Sequence, residues 1–518
     1  MRASKTQRLY ISMFLAPLLV ILLFSLMVSS AFALQTSNIA VSKVGADSAV
    51  LVVKADVTAD VTVEYGGYPP SFSFSKTSLG ATRHEILLDG LSPGSSVCYR
   101  VTITDSADLG TSITVPDKWF DTASPLGTGF SFGVVGDNRP ASDTTVQPAA
   151  FTSIINQMIG DNLALSLNVG DIIFGTGTDS LAQNVAKYDG LFAATTPLTY
   201  SVPMYVAPGN HERLNYTNSK AGYEQEFTFP VNTRGDTATY GEHYYSFDNG
   251  DTHFIALSTE IPGQEGLITG NQKAWLISDL AANSRPWVVV FMHRPLFSGA
   301  HAGDPWTNVG NATGQANKAE IHALFLANGV DVVFEGHEHF YLHHLEDGIH
   351  YIITGGGGAP LSGAPALQAG DILAYSGYEH MKVDEGDTAL KVSAIDSSGA
   401  VIETFTLGAP QLSLANGWTY WASYADYRSR FLTVEYTIGN IGDGDANNIQ
   451  VSSLYASYGV VAVTATPLLL GNLAAGDSLT TQVRYEIPHG VTSFFAFARG
   501  TCEDDVGDSY SYPTGALL

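Results

Sequence analysis

Five short runs in this chain combine carboxylates, histidines and one amide in a way that suits metal-assisted hydrolysis. They are Gly136-Asp137-Asn138-Arg139, Gly170-Asp171-Ile172-Ile173-Phe174, Gly209-Asn210-His211-Glu212, Val290-Phe291-Met292-His293 and Gly336-His337-Glu338-His339, spread over about 200 residues. Hydrolysis with two metal ions needs oxygen and nitrogen ligands that converge from several strand ends, and one carboxylate that touches both ions about 3.5–4 Å apart. His337 and His339 stand two residues apart just past an apolar run, so both can project to one side and meet one of two adjacent ions each. Asn210 offers a neutral oxygen that adds no charge to an already anionic site. Water bound between two cations is acidified by many units, so hydroxide becomes available at neutral pH. Glycine ahead of Asp137, Asp171, Asn210 and His337 is expected to let the backbone turn sharply there. Each run alone says little, because Gly-Asp is most often a turn; the argument rests on their succession.

The elements that must position these runs are legible from periodicity. From Phe130 to about Leu407, apolar strands such as Phe132–Val135 and Leu163–Val169 alternate with helical segments such as the one near Ala149–Ile159. That alternation predicts a layered α/β core over residues 125–408, and ligands in such cores bind at the carboxyl ends of strands. Residues 34–124 alternate at period two, as in Val61, Val63, Tyr65 and Val97, Tyr99, Val101, which predicts a β-sandwich. Alternation returns over 409–518, in Leu432, Val434, Tyr436 and Ile438, for a second β-sandwich. Between its strands, Asn440 to Asn448 reads as a hairpin turn. The Asp443, Asp445, Asn447 spacing hints at calcium, but Asn448 stands where an EF-hand needs Gly and Leu454 where it needs Glu.

Residues 1–33 carry Arg2, Lys5 and Arg8, an apolar stretch from about Ile11 to Val28, and Ala31-Phe32-Ala33, the pattern of a cleaved secretory signal; an uncleaved membrane anchor is the alternative. Cleavage takes the formal charge from −26 to −29, which excludes a general nucleic-acid binder and makes a secreted, periplasmic or cell-surface location the expectation, without stable membrane insertion. Cys98 and Cys502 fall in different predicted domains and are read as unpaired thiols, so stability must come from large cores.

In their order, the five runs are similar to the signature of calcineurin-like metallophosphoesterases, over about 280 residues. Leu91-Ser92-Pro93-Gly94, Tyr65-Gly66 and Phe120-Asp121-Thr122-Ala123 resemble the fibronectin-type-III-like domain that precedes the catalytic domain in the purple acid phosphatase branch. The C-terminal segment resembles Ig-like modules of microbial surface proteins, which implies a cell-surface or matrix contact. The resemblance implies a multidomain chain whose central α/β sandwich, two mixed sheets flanked by helices, lies between two all-β sandwich domains. It also implies hydrolysis of small phosphomonoesters by a metal-bridging hydroxide, with two divalent ions drawn from manganese, iron and zinc. Phosphodiester or nucleotide hydrolysis, and an inactive adhesion or scaffold protein, are the alternatives. Carried over residue by residue, Asp137 and His339 bind the first metal, Asp171 bridges, and Asn210, His293 and His337 complete the second. His211 stabilises the transition state or protonates the leaving group.

Two departures from the family pattern affect the first metal. Arg139 stands where phosphodiesterase-like relatives have a histidine ligand, and Phe174 where purple acid phosphatases have a tyrosine ligand. The first site is then left with Asp137, Asp171, His339 and water. Two readings of Arg139 stand, a clamp on a phosphate oxygen or an ion pair that holds its loop. His301, in Ser298-Gly299-Ala300-His301-Ala302-Gly303, is either a substrate-pocket histidine or an exposed loop residue. Gly355–Gly358 reads as a structural turn, and His343 and His344 as strand residues rather than ligands.

Overall fold

A computed structural model describes residues 34–231, 240–298 and 300–517; the basic and apolar segment of residues 1–33 lies outside the described residues. Among the described residues no helix is long and apolar enough to cross a membrane.

Two mixed sheets form the centre. One has six strands in the order Val401–Leu407, Leu390–Asp396, Glu379–Glu385, Phe130–Val135, Leu165–Asn168, Met204–Val206. The other has seven, in the order Asp371–Tyr375, Tyr341–Glu346, Ile349–Thr354, Val332–Glu335, Trp287–Phe291, Thr252–Ala256, Tyr245–Asn249. The sheets pack face to face because the inner strands are buried on both sides and read as near-continuous apolar runs, as parallel strands do. Phe132 of one sheet sits edge-on to Phe254 and Phe334 of the other, with ring centroids 5.1 and 6.4 Å apart. Burying one such ring stabilises by about 2–3 kcal/mol. Helix Ala149–Gly160 covers the six-stranded sheet with Phe151, Ile154, Ile155 and Met158. Helix Leu181–Thr199 starts at a capping box, in which Ser180 Oγ accepts from Gln183 N and Gln183 Oε1 accepts from Ser180 N.

N-terminal to this lies an all-β region, one five-stranded sheet in which Ser48–Gly67 and Ser71–Asp89 pair along their length. Register breaks between Lys54 and Ala59 divide Ser48–Gly67. Its first half pairs with Thr36–Ser42 and its second with Ser96–Asp105, and both halves share one core around Leu51, Val63 and Tyr99. It docks on the central domain through Lys54, which pairs with Asp189 and Glu226, and through Tyr99, whose hydroxyl donates to Tyr200 O. At the C-terminal end two four-stranded sheets face each other. Lys391 pairs with Asp508, and Asp445 N donates to Thr388 Oγ1, which ties this region to the central domain.

One local expectation is overturned. Phe431–Asn440 and Ala446–Ala456 belong to different sheets, so residues 440–446 cross between sheets and do not close a hairpin. Asn440 holds the crossing, with Nδ2 donating to Gly444 O and Leu473 O, and Asp445 accepts from Ala475 N. The turn-forming residues are the same in either connection, so composition could not tell them apart. Cys98 and Cys502 are both free and buried.

Candidate metal centre

All five polar runs leave the carboxyl ends of parallel strands. Asp137, Asp171 and Asn210 follow adjacent parallel strands of the six-stranded sheet, and His293 and His337 follow adjacent parallel strands of the seven-stranded sheet. The centre therefore sits on the seam where both sheets end. Asn210, His211 and Glu212 form a single 3-10 turn.

Backbone conformation departs from the sequence reading. Asp137 (φ 52°), Asp171 (φ 54°) and His337 (φ 70°) themselves adopt the left-handed region, whereas of the four glycines before ligands only Gly170 (φ 96°) has a positive φ. Left-handed backbone at a non-glycine residue costs of the order of 1 kcal/mol or more and persists where surroundings enforce it. Most of these glycines serve close approach instead. A Cβ on Gly336 would lie 2.5 Å from Asp137 Oδ2, and one on Gly209 would lie 2.4 Å from Asp171 Oδ1. Gly355–Gly358 has the structural part expected of it, since Gly357 N donates to Gly136 O and Ala359 N to Asp137 O.

The ligand atoms converge. Asp137, Asp171 and His293 each offer one atom, all within 4.8 Å of one another. His293 Nδ1 contacts Val169 O at 2.8 Å, so the proton belongs there and Nε2 carries a lone pair. That lone pair faces Asn210 Oδ1 at 3.0 Å, His337 Nδ1 at 3.2 Å and Asp171 Oδ1 at 3.3 Å. His339 Nε2 lies 3.6 Å from Asp137 Oδ1, a buried oxygen without a hydrogen-bond partner among the described residues. A buried group of acceptors aimed at one another is unfavourable unless a cation lies among them, and a donor set of carboxylates, imidazoles and an amide oxygen suits divalent transition ions. These residues fit a metal.

Charge is partitioned unevenly. Burial, then the charge on Asp171, pushes Asp137 well above the carboxylate range. Burial also opposes ionisation of Asp171, but its neighbours His293 and His211 and the amide of His211, which donates at 2.7 Å, together hold it well below that range. Burial lowers His211 to about 4 and His293 to about 3, so both rings are neutral.

His211 lies beside this set, Nε2 being 3.9 Å from Asp171 Oδ2, and its Nδ1 is buried without a hydrogen-bond partner among the described residues. Its ring packs 5.1 Å from that of Phe174. Arg139 pairs with Asp171 Oδ2 through Nε at 3.3 Å and donates to Pro140 O, so its loop-holding contact is present. His301 is half exposed at the rim, its ring 4.4 Å from that of His337. Its Nδ1 lies 3.5 Å from Glu338 Oε1, which raises its pKa. His343 and His344 stand on Tyr341–Glu346, bonded to Glu403 and Asp371 and away from the centre.

Three supporting residues escaped the sequence reading. Glu212 accepts from Gly209 N, Asp171 N and Ile172 N, joining the second and third runs. Glu338 is bonded by Ser298 Oγ and by His301 N at 3.1 Å. Asp304, eleven residues past His293, touches His337. The two glutamates lie within the runs and could have been suspected there; no local signal marks Asp304.

Comparison with known proteins agrees with this geometry. Residues 130–341 match the family model of the calcineurin-like phosphoesterases. Purple acid phosphatase 15 of Arabidopsis thaliana is 28% identical over 50% of this chain and 48% of its own length. Acid phosphatase type 7 of Homo sapiens is 31% identical over 34% of this chain and 39% of its own. This chain thus spans about half or less of these two relatives. The structure of purple acid phosphatase PPD1 from yellow lupin (Lupinus luteus) seeds shares the fold, with a TM-score of 0.58 at 17% identity over 73% of this chain and 74% of that one. Residues 130–341 thus form a calcineurin-like phosphoesterase domain with purple acid phosphatases among its homologues.

Proposed function

We propose that this protein is a secreted phosphoesterase that holds two divalent ions and hydrolyses small phosphomonoesters. The observation that carries this reading is the lone pair of His293 Nε2 facing three further acceptors of the centre, Asn210, His337 and Asp171, within 3.3 Å. Asp137 and His339 would hold one ion, Asn210, His293 and His337 the other, and Asp171 would serve both. Ions bound there would polarise a phosphoryl oxygen and acidify water, the chemistry that phosphoester hydrolysis needs. His211, neutral and beside the shared carboxylate, offers an N–H to a phosphoryl or leaving-group oxygen. Arg139 has Nη2 without a partner among the described residues and meets a substrate oxygen with it. His301, at the rim, faces the leaving group.

With Phe174 and Arg139 in place of ligands, the first ion has fewer anchors and exchanges faster, and both ions are divalent: manganese, ferrous iron or zinc. The basic and apolar pattern of residues 1–33 supports export. We take 34–124 as the fibronectin-like domain, 125–408 as the catalytic domain and 409–518 as the surface-contacting domain.

Metal analysis of the purified protein, combined with hydrolysis of aryl phosphate monoesters and diesters across added manganese, iron and zinc, tests the proposal. Two ions per chain and monoester turnover are expected. Preferential diester turnover would reassign the substrate, and metal-loaded protein without turnover would make the chain a scaffold.

A further inference from the structure

Three histidines face the ligand cluster, and each must turn a lone pair inward and its N–H outward. His293 directs Nδ1 to Val169 O at 2.8 Å, and His339 directs Nδ1 to Pro360 O at 2.7 Å. Both therefore present Nε2 to the centre. His337 is reversed: Nδ1 lies 3.2 Å from His293 Nε2, and Nε2 points away, 2.9 Å from Asp304 Oδ2. The approach is close but off-line, so the two atoms form a short contact and not a hydrogen bond, and neither has a hydrogen-bond partner among the described residues. Asp304 is itself fixed. Its Oδ1 accepts from Arg294 Nη1 at 2.6 Å, and Arg294 is held on its other side by Glu260 at 2.6 and 3.1 Å. Arg294 and Glu260 follow strands of the seven-stranded sheet, so this chain of charges is anchored on the scaffold.

We infer that Asp304 is a positioning residue for the second metal site, holding His337 in the tautomer that carries its proton on Nε2 and its lone pair on Nδ1. The inference rests on the two-metal reading of the centre. A backbone carbonyl facing Nε2 would fix this tautomer too, just as carbonyls facing Nδ1 fix the opposite tautomer in His293 and His339. A carboxylate does more, because its charge raises the electron density of the imidazole and stabilises it against a neighbouring cation. Arg294 shares that charge and so limits how far the carboxylate can draw the proton. His337, which starts in a left-handed backbone conformation with its amide donating to Asp137 Oδ2, is the ligand most in need of an external hold on its ring.

Zinc titration of metal-free full-length protein by calorimetry, with Asp304→Ala and Asp304→Asn beside the natural protein, tests this. Asp304→Ala is expected to weaken one of the two binding events by about 10–100-fold and to leave the other unchanged. Asp304→Asn should fall between, because its amide oxygen still accepts from Nε2–H. Nitrogen-15 spectra of zinc-loaded natural protein, labelled in histidine, should show His337 protonated on Nε2. Natural affinity at both sites in Asp304→Ala, or a proton on Nδ1 of His337, would overturn the inference, and the second result needs no variant to fold. A natural protein that takes up one ion with His337 bound as described would strike the two-metal reading and leave the role of Asp304 standing.

Discussion

The seven-stranded sheet carries two histidine-rich clusters, and they are built on opposite principles. At the seam, His293, His337, Asp137 and Asp171 turn acceptors toward one another and leave buried atoms such as Asp137 Oδ1 without a hydrogen-bond partner among the described residues. Along Tyr341–Glu346 and Ile349–Thr354, His343 meets Glu403 at 3.1 Å and His350 at 2.8 Å, and Tyr341 donates to the second oxygen of Glu403 at 2.7 Å. That second cluster is satisfied internally. A density of histidines and carboxylates is thus a poor mark of a metal site; lone pairs that face one another are a good one.

The comparison breaks most sharply at Asp171. Asp171→Ala should lower kcat by about 10⁴-fold or more and reduce bound metal at both proposed sites, because no other carboxylate among the described residues is placed to serve two ions. Metal analysis beside the aryl phosphate assay checks it, and near-normal turnover would reject the ligand assignment. His211→Ala should keep its metal content while turnover falls by about 10²–10⁴-fold. Metal lost together with activity would make His211 a ligand.

In the satisfied cluster, the expected losses are of stability alone. Glu403→Gln should cost about 1–3 kcal/mol by weakening the bonds of His343 and Tyr341, with metal content and kcat unchanged, as read by urea unfolding and the same assay. Acid should act in the same direction. Burial, then the neighbouring His343, lowers His350 to about 4 in the folded protein, and Glu403, despite burial, is held low by the His343 and Tyr341 bonds. Both groups bind protons more readily when unfolded; the contribution of His350 is complete above about pH 6.5 and is lost as pH falls toward 4, and that of Glu403 is complete above about pH 4.5 and is lost below it. Hydrogen exchange across Tyr341–Thr354 should accelerate over that interval; exchange that slows on acidification would contradict it.

Within the metal centre, the smallest effect on turnover is expected at Phe174. The natural protein should show no intense visible absorption, having no tyrosine at that position. Phe174→Tyr, loaded with iron in air, should gain a visible charge-transfer band with turnover within a few-fold of natural. An intense band in the unmodified protein would require a different tyrosine ligand.

What was legible in the sequence follows from these differences. The five runs could be read because each is local, an apolar strand ending in a ligand, and strand-to-helix alternation placed those ends on one side of a sheet. The left-handed backbone of Asp137, Asp171 and His337 could not, because it is imposed by contacts between loops, and the glycines beside them drew the attention. Asp304 was hidden for the same reason. It reaches His337 from another loop, and in sequence it is one acid among fifty Asp and Glu. The crossing at 440–446 was misread as a hairpin because turn chemistry is local and sheet membership is not.

Glu212 bears on what the proposed centre would be like without its ions. Its carboxylate gathers the amides of Gly209, Asp171 and Ile172, so the loop that carries the shared ligand and the loop that carries Asn210 and His211 are riveted together without help from any ion. On the proposed reading, an ion that escaped would leave behind a mould rather than a slack loop. Recharging is then a matter of how often a new ion arrives, and a depleted molecule waits in readiness instead of having to refold.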